Sequence, residues 1–154
     1  MIESVGERRA EAGHGHAAIL SLLLALFVFR VSAQLVQRLW PTSLLPPFGM
    51  WQSGTVPYAV LVASQLVIIA AILAIIVRMR RGQVRPRRKL GVTLLVAGAI
   101  YMAGAAFRLV AGLSFLSHLS FFRAPIPSLF HMVLAGIVLT LGHFHIRRSA
   151  GVGR

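Results

Sequence analysis

Four long apolar stretches, at about 17–40, 57–77, 90–113 and 127–146, take up more than half of this 154-residue chain. Each reaches the ~20 residues that a helix rising ~1.5 Å per residue needs to cross ~30 Å of hydrocarbon. Inside lipid, backbone N–H and C=O groups find no water, so only helices and closed barrels span a bilayer. The two-residue alternation of a barrel strand is missing, which leaves helices. The sequence therefore predicts an all-α membrane protein: a four-transmembrane-helix bundle forming a single domain over 1–154.

Charge placement predicts how the bundle is oriented. Of the 16 basic residues, Arg8, Arg9, Arg147, Arg148 and Arg154 flank the first and last stretches, and Arg78, Arg80, Arg81, Arg85, Arg87, Arg88 and Lys89 crowd the connection at 78–89. The connection at 41–56 has no charge and that at 114–126 only Arg123. By the excess of Lys and Arg on cytoplasmic loops, both termini and the basic connection are expected in the cytoplasm. The chain is then an integral, multi-pass protein of the kind found in a bacterial inner (cytoplasmic) membrane. Seven cations beside a membrane attract anionic lipid headgroups by ~1 kcal/mol each, so membrane lipids are expected partners of this segment. A net charge of +13 could suggest nucleic acid, but the cations flank apolar segments as topology signals do, and nucleic acid is not an expected partner. The first stretch could also serve as a signal peptide with Val31-Ser32-Ala33 as its cleavage site. Arg30 within that site and the acidic leader argue against cleavage.

Chemistry is limited by what is missing. The only acids are Glu3, Glu7 and Glu11, and there is no cysteine. Carboxylate pairs within the membrane body, disulfides, thiolate metal sites and cysteine nucleophiles are thereby excluded. His143 and His145 sit two apart, roughly 200° around a helix, and cannot readily chelate one metal. His14-Gly15-His16 offers two ligands without a third. Neither a metal site nor an enzyme is expected.

Aromatic and small residues suggest how the spans are placed. Trp40, Trp51 and Tyr58 bracket the first uncharged connection, as rings at a headgroup boundary would. That connection, with Leu44-Leu45-Pro46-Pro47-Phe48, is too apolar for a freely solvated loop. So is the second, where Phe115, Phe121 and Phe122 precede a Pro125-Ile126-Pro127 stop. Both are expected on the bilayer surface or under another protein. Ala99, Ala103 and Ala106, with Gly98, Gly104 and Ala105 nearby and Ala70 and Ala74 on the second span, would let backbones approach closely.

Arg30 is the feature that most invites a functional reading. It lies about ten residues from the far end of the first span, ~15 Å deep at ~1.5 Å per residue, where a charge costs at least ~2.5 kcal/mol. Gln34 is one turn further on, Gln65 reaches a similar depth on the second span, and Ser32 and Ser64 flank the layer. Three readings compete: these neutral groups hold the guanidinium, an acid of another subunit or cofactor pairs with it, or it receives a mobile anion or lipid headgroup. Arg38 and Arg108 are close enough to an interface to snorkel.

The histidines give one coincidence of spacing. His131 and His145 are fourteen positions apart on the last span, so they face one neighbour about 40° out of register and ~21 Å apart. The spacing resembles that of the axial ligands on a haem-bearing helix of the di-haem cytochromes b. The resemblance covers one helix and implies haem b held by His131 and His145; a chlorophyll, needing a single axial ligand, is the alternative. His16 and His118 are the residues that could oppose His145 and His131. The other reading of both histidines is hydrogen bonding at helix ends, with no cofactor.

The expectation that follows is a small, non-enzymatic accessory subunit of a larger membrane complex, with other membrane subunits as partners. The alternatives are a haem- or chlorophyll-binding protein using His131 and His145, and an anion or lipid carrier using Arg30.

Overall fold

The computed structural model describes residues 2–51, 56–114 and 125–150, with side chains from residue 14 onward in those ranges. The described residues fold into four helices, α1 (Ile2–Leu39), α2 (Tyr58–Arg80), α3 (Arg88–Leu113) and α4 (Pro125–Ala150), with one 3₁₀ turn at Phe48–Met50. All four are long and apolar enough to cross a membrane, and no strand occurs among the described residues.

The helices overrun the apolar stretches at defined places. The helical conformation of α1 runs through Gly13-His14-Gly15, because residues on both sides continue the backbone ladder. The apolar span within it begins at His14. Arg78 and Arg80 form the last turn of α2, where cations complement the helix dipole, and Arg88 and Lys89 open α3. The basic connection thus shrinks to 81–87. The stop expected at Pro125-Ile126-Pro127 is instead the first turn of α4. Proline suits that turn, since its fixed φ is helical and the missing N–H would have had no partner there.

α2 ends in a Schellman motif. Gly82 N–H donates to the Met79 carbonyl at 3.0 Å and Gln83 N–H to the Arg78 carbonyl at 2.9 Å. The motif needs a left-handed residue, which is Gly82 at φ 67°.

Contacts order the bundle α2–α1–α4–α3, and among the described residues α2 does not pack against α3 or α4 at backbone distance. α3 and α4 meet most closely. A Cβ on Gly142 would lie 2.9 Å from Leu95 N and 3.0 Å from Gly91 O, and one on Gly98 2.9 Å from the Leu139 side chain. The buried residues of α3 are Gly91, Gly98, Ala105 and Ala111, the first three at a seven-residue spacing that keeps one seam facing the partner helix. Ala99 and Ala103 are exposed, as are Ala70 and Ala74 on α2, and Gly104 meets nothing within 4 Å. Close packing by small residues is present, on a different face of α3 from the alanine stripe. At the end carrying the basic connection, Ala17, Leu20 and Leu24 of α1 close a core with Ile72, Ile76 and Met79 of α2 and Ile137 and Phe144 of α4.

Burial is inverted relative to a water-soluble bundle. Leu22, Phe29, Val67 and Ile100 are all more than 60% exposed, whereas Arg30, Gln34, Gln37 and Gln65 are buried. Apolar surface of that extent on α1, α2 and α3 needs an apolar surrounding, consistent with a multi-pass membrane protein.

Candidate functional site

Two polar regions lie inside the bundle, one at each end. At the end away from the basic connection, Arg30 projects inward from α1 and is 5% exposed. Its Nη2 donates to the Trp51 carbonyl at 2.7 Å, and its Cζ stands 5.6 Å from the centre of the Phe130 ring on α4. The guanidinium therefore snorkels toward the chain end of the helix, but within the protein. The connection folds in to meet it: Trp51 is buried, and its indole N–H donates to the Pro46 carbonyl at 2.8 Å. Arg38 stacks over Phe48 at 5.6 Å, and Phe48 meets Tyr58 edge-on at 5.4 Å. Of the three rings expected at a boundary, Trp40 stays outside at 72% exposure, Tyr58 is half-buried and Trp51 is interior.

Gln34 and Gln65 do not hold Arg30, as one reading expected. Both are buried, yet the Gln34 amide oxygen and nitrogen have no hydrogen-bond partner among the described residues. The same is true of Arg30 Nε, the Tyr58 hydroxyl and the Ser128 hydroxyl. Two of these groups lie close to the guanidinium. Gln34 is one turn from Arg30 on α1 and Tyr58 is within electrostatic reach of it, whereas Ser128, two residues from Phe130 on α4, faces a different side of that helix from the ring over Arg30. Ser32 and Ser64 face outward, and Ser64 bonds its own helix through the Leu61 carbonyl. Gln37 is used differently: its Oε1 accepts from Thr42 N–H at 3.0 Å and ties down the chain leaving α1.

His131 belongs to the same end. Its Nδ1 lies 2.6 Å from the Tyr101 hydroxyl of α3, and both Arg108 and Arg30 are within electrostatic reach of its ring. His145, near the basic end, accepts at Nδ1 from Arg87 N–H at 3.2 Å. The two histidines thus face one neighbour, α3, as their spacing implies. A tetrapyrrole does not fit between the two helices there, because α3 and α4 touch through Gly91, Gly98 and Gly142 in the stretch between the two histidines. The expected opposition of His16 to His145 is not found. His16 Nε2 instead meets His143 Nδ1 at 3.1 Å, since residues two apart on α4 face different neighbours. His143 Nε2 accepts from Arg147 Nε at 3.1 Å, so in the neutral ring Nδ1 carries the proton and donates to His16. His118 lies outside the described residues. No group of three histidine or acidic side chains among the described residues could hold a metal ion.

The seven basic residues of the connection separate into three groups. Arg78, Arg85 and Arg87 line a cleft of about 590 Å³ between α2 and the α3–α4 pair. Arg80 turns to α1, where its Nη2 donates to Ser21 Oγ at 3.0 Å. Arg81, Arg88 and Lys89 are exposed and do not line the cleft.

No protein-family model, curated protein or solved structure matches the chain, so the chemistry of these two regions is what bears on function.

Proposed function

We propose that the chain is a small, non-enzymatic, multi-pass membrane protein that receives a small anion, or the carboxylate of a ligand, at Arg30. The observation that supports this most strongly is the set of buried polar atoms without partners around a buried cation. Leaving a buried donor or acceptor unmade costs ~1–3 kcal/mol, and the groups beside Arg30 lie on α1 and α2. Arg30 Nε and the Tyr58 hydroxyl are donors, which suits a negative guest. Arg108, within electrostatic reach of the same His131 ring as Arg30, adds to a cationic environment, and the sequence has no side-chain carboxylate after Glu11 to neutralise it. An anion from outside the chain would complete the site, with Gln34 orienting it. In the orientation implied by the basic connection, this end lies in the bilayer half away from the cytoplasm.

A second reading, the accessory subunit of a larger membrane complex, draws support from the far end, where Trp40 is 72% and Leu44 90% exposed. A partner would cover that apolar rim. Arg30 would not be its contact, because the guanidinium is enclosed by Trp51 and Phe130.

Thermal unfolding of the purified protein in detergent, with chloride, acetate or phosphate at fixed ionic strength, tests the anion site. A ligand that binds only the folded state stabilises it by about 2.7 kcal/mol at a hundred times its Kd. At least one anion should raise the melting temperature of the wild type and leave Arg30→Gln unmoved. Equal shifts in both proteins would refute the site.

A further inference from the structure

We propose that the cleft between α2 and the α3–α4 pair binds one phospholipid with an anionic headgroup, its phosphate among Arg78, Arg85 and Arg87. The inference does not rest on the Arg30 reading, since it concerns the opposite end of the bundle.

The cleft exists because α2 docks on α1 and leaves α3 unpaired on that side, although only residues 81–87 separate the two helices. Its volume of about 590 Å³ falls within the ~300–1,000 Å³ usual for sites that enclose a small molecule. Its lining is divided in character. Three guanidiniums and Gln83 form the rim, whereas Ile75, Val84, Leu90, Leu94 and Leu141 form an apolar floor.

His145 adds a hydrogen-bonding group to the cleft. It is 7% exposed and lines the cleft, and its Nδ1 is occupied as an acceptor by Arg87 N–H. The proton of the neutral ring is then on Nε2, a donor with no partner among the described residues. The first turn of α3 opens beside it with no side-chain cap and no acidic residue, so its free N–H groups and dipole add positive potential.

Charge complementarity selects an anion with several acceptor oxygens, and the floor selects its attachment to an acyl chain. A free phosphate would satisfy the rim and leave five apolar side chains uncovered. The division among the basic residues also distinguishes this site from general attraction to a charged surface, because Arg81 and Lys89 carry the same charge but stand outside the cleft.

Native mass spectrometry of the full-length protein in detergent, titrated with phosphatidylglycerol and with phosphatidylcholine of the same chain length, tests the proposal. One phosphatidylglycerol adduct should dominate. Arg78→Gln with Arg87→Gln should weaken it about 10- to 30-fold, from ~1 kcal/mol per cation. Arg81→Gln with Lys89→Gln, an equal loss of charge, should leave it nearly unchanged. Leu94→Trp, which fills the floor and keeps every cation, should abolish the adduct. Equal weakening by the two double variants would overturn the site in favour of diffuse surface attraction. An undiminished adduct in Leu94→Trp, or its displacement by millimolar inorganic phosphate, would overturn the lipid as occupant.

Discussion

The α3–α4 seam supports a graded prediction. At Gly142 an added methyl would sit 2.9 Å from Leu95 N and 3.0 Å from Gly91 O, both backbone atoms that can retreat only if the helices separate. Overpacking of a close-packed contact costs ~1–3 kcal/mol, and Gly142→Ala should fall at the upper end, about 3 kcal/mol. At Gly98 the nearest atoms are Cδ2 and Cγ of Leu139 at 2.9 Å, with the Leu139 backbone N at 3.2 Å, so the side chain can give only in part and Gly98→Ala should cost about 2 kcal/mol. At Gly104 nothing lies within 4 Å. There alanine only limits the backbone freedom of the unfolded chain, and Gly104→Ala should be stabilising by up to ~1 kcal/mol. Unfolding in mixed dodecyl maltoside and SDS micelles, followed by far-UV circular dichroism, gives the three values in one host. The reasoning fails if Gly142→Ala is as stable as wild type, or if Gly104→Ala loses as much as Gly98→Ala.

Gly82→Ala should cost about 1 kcal/mol in the same assay, because φ of 67° is open to glycine and strained for alanine. Cysteines placed at Gln83 and at Ser43 should react from opposite faces of a sealed vesicle, with Gln83 cytoplasmic; labelling of both from one face would contradict four crossings.

How much of this was legible in the sequence depended on whether the controlling interaction was local. The four helices follow from apolar length alone, and each appears within a few residues of its stretch apart from the polar start of α1. Gly82 sits where a glycine after a basic turn belongs. The shared neighbour of His131 and His145 follows from helical spacing. Partnerships across helices were not legible. Arg30 is met by the Trp51 carbonyl, and a backbone carbonyl has no residue identity by which a sequence could point to it. Phe130 joins that layer only because α4 docks on α1. The glycine seam could have been found from the seven-residue spacing of Gly91, Gly98 and Ala105, a weaker visual signal than the denser alanines that face outward. The cleft was not legible, since it comes from α2 choosing α1 over α3, and helices apolar on all sides do not encode that choice.

Titration of Trp51 fluorescence tests the claim of an anion seat at Arg30 most directly. The chain has two tryptophans, so Trp40→Phe leaves Trp51, whose carbonyl holds the guanidinium, as the reporter. Addition of chloride, acetate or phosphate at fixed ionic strength should change its emission saturably, as one site, for at least one of them. The same titration in Trp40→Phe with Arg30→Gln should be flat. Emission indifferent to all three anions, or a saturable change that survives loss of the guanidinium, would contradict the account.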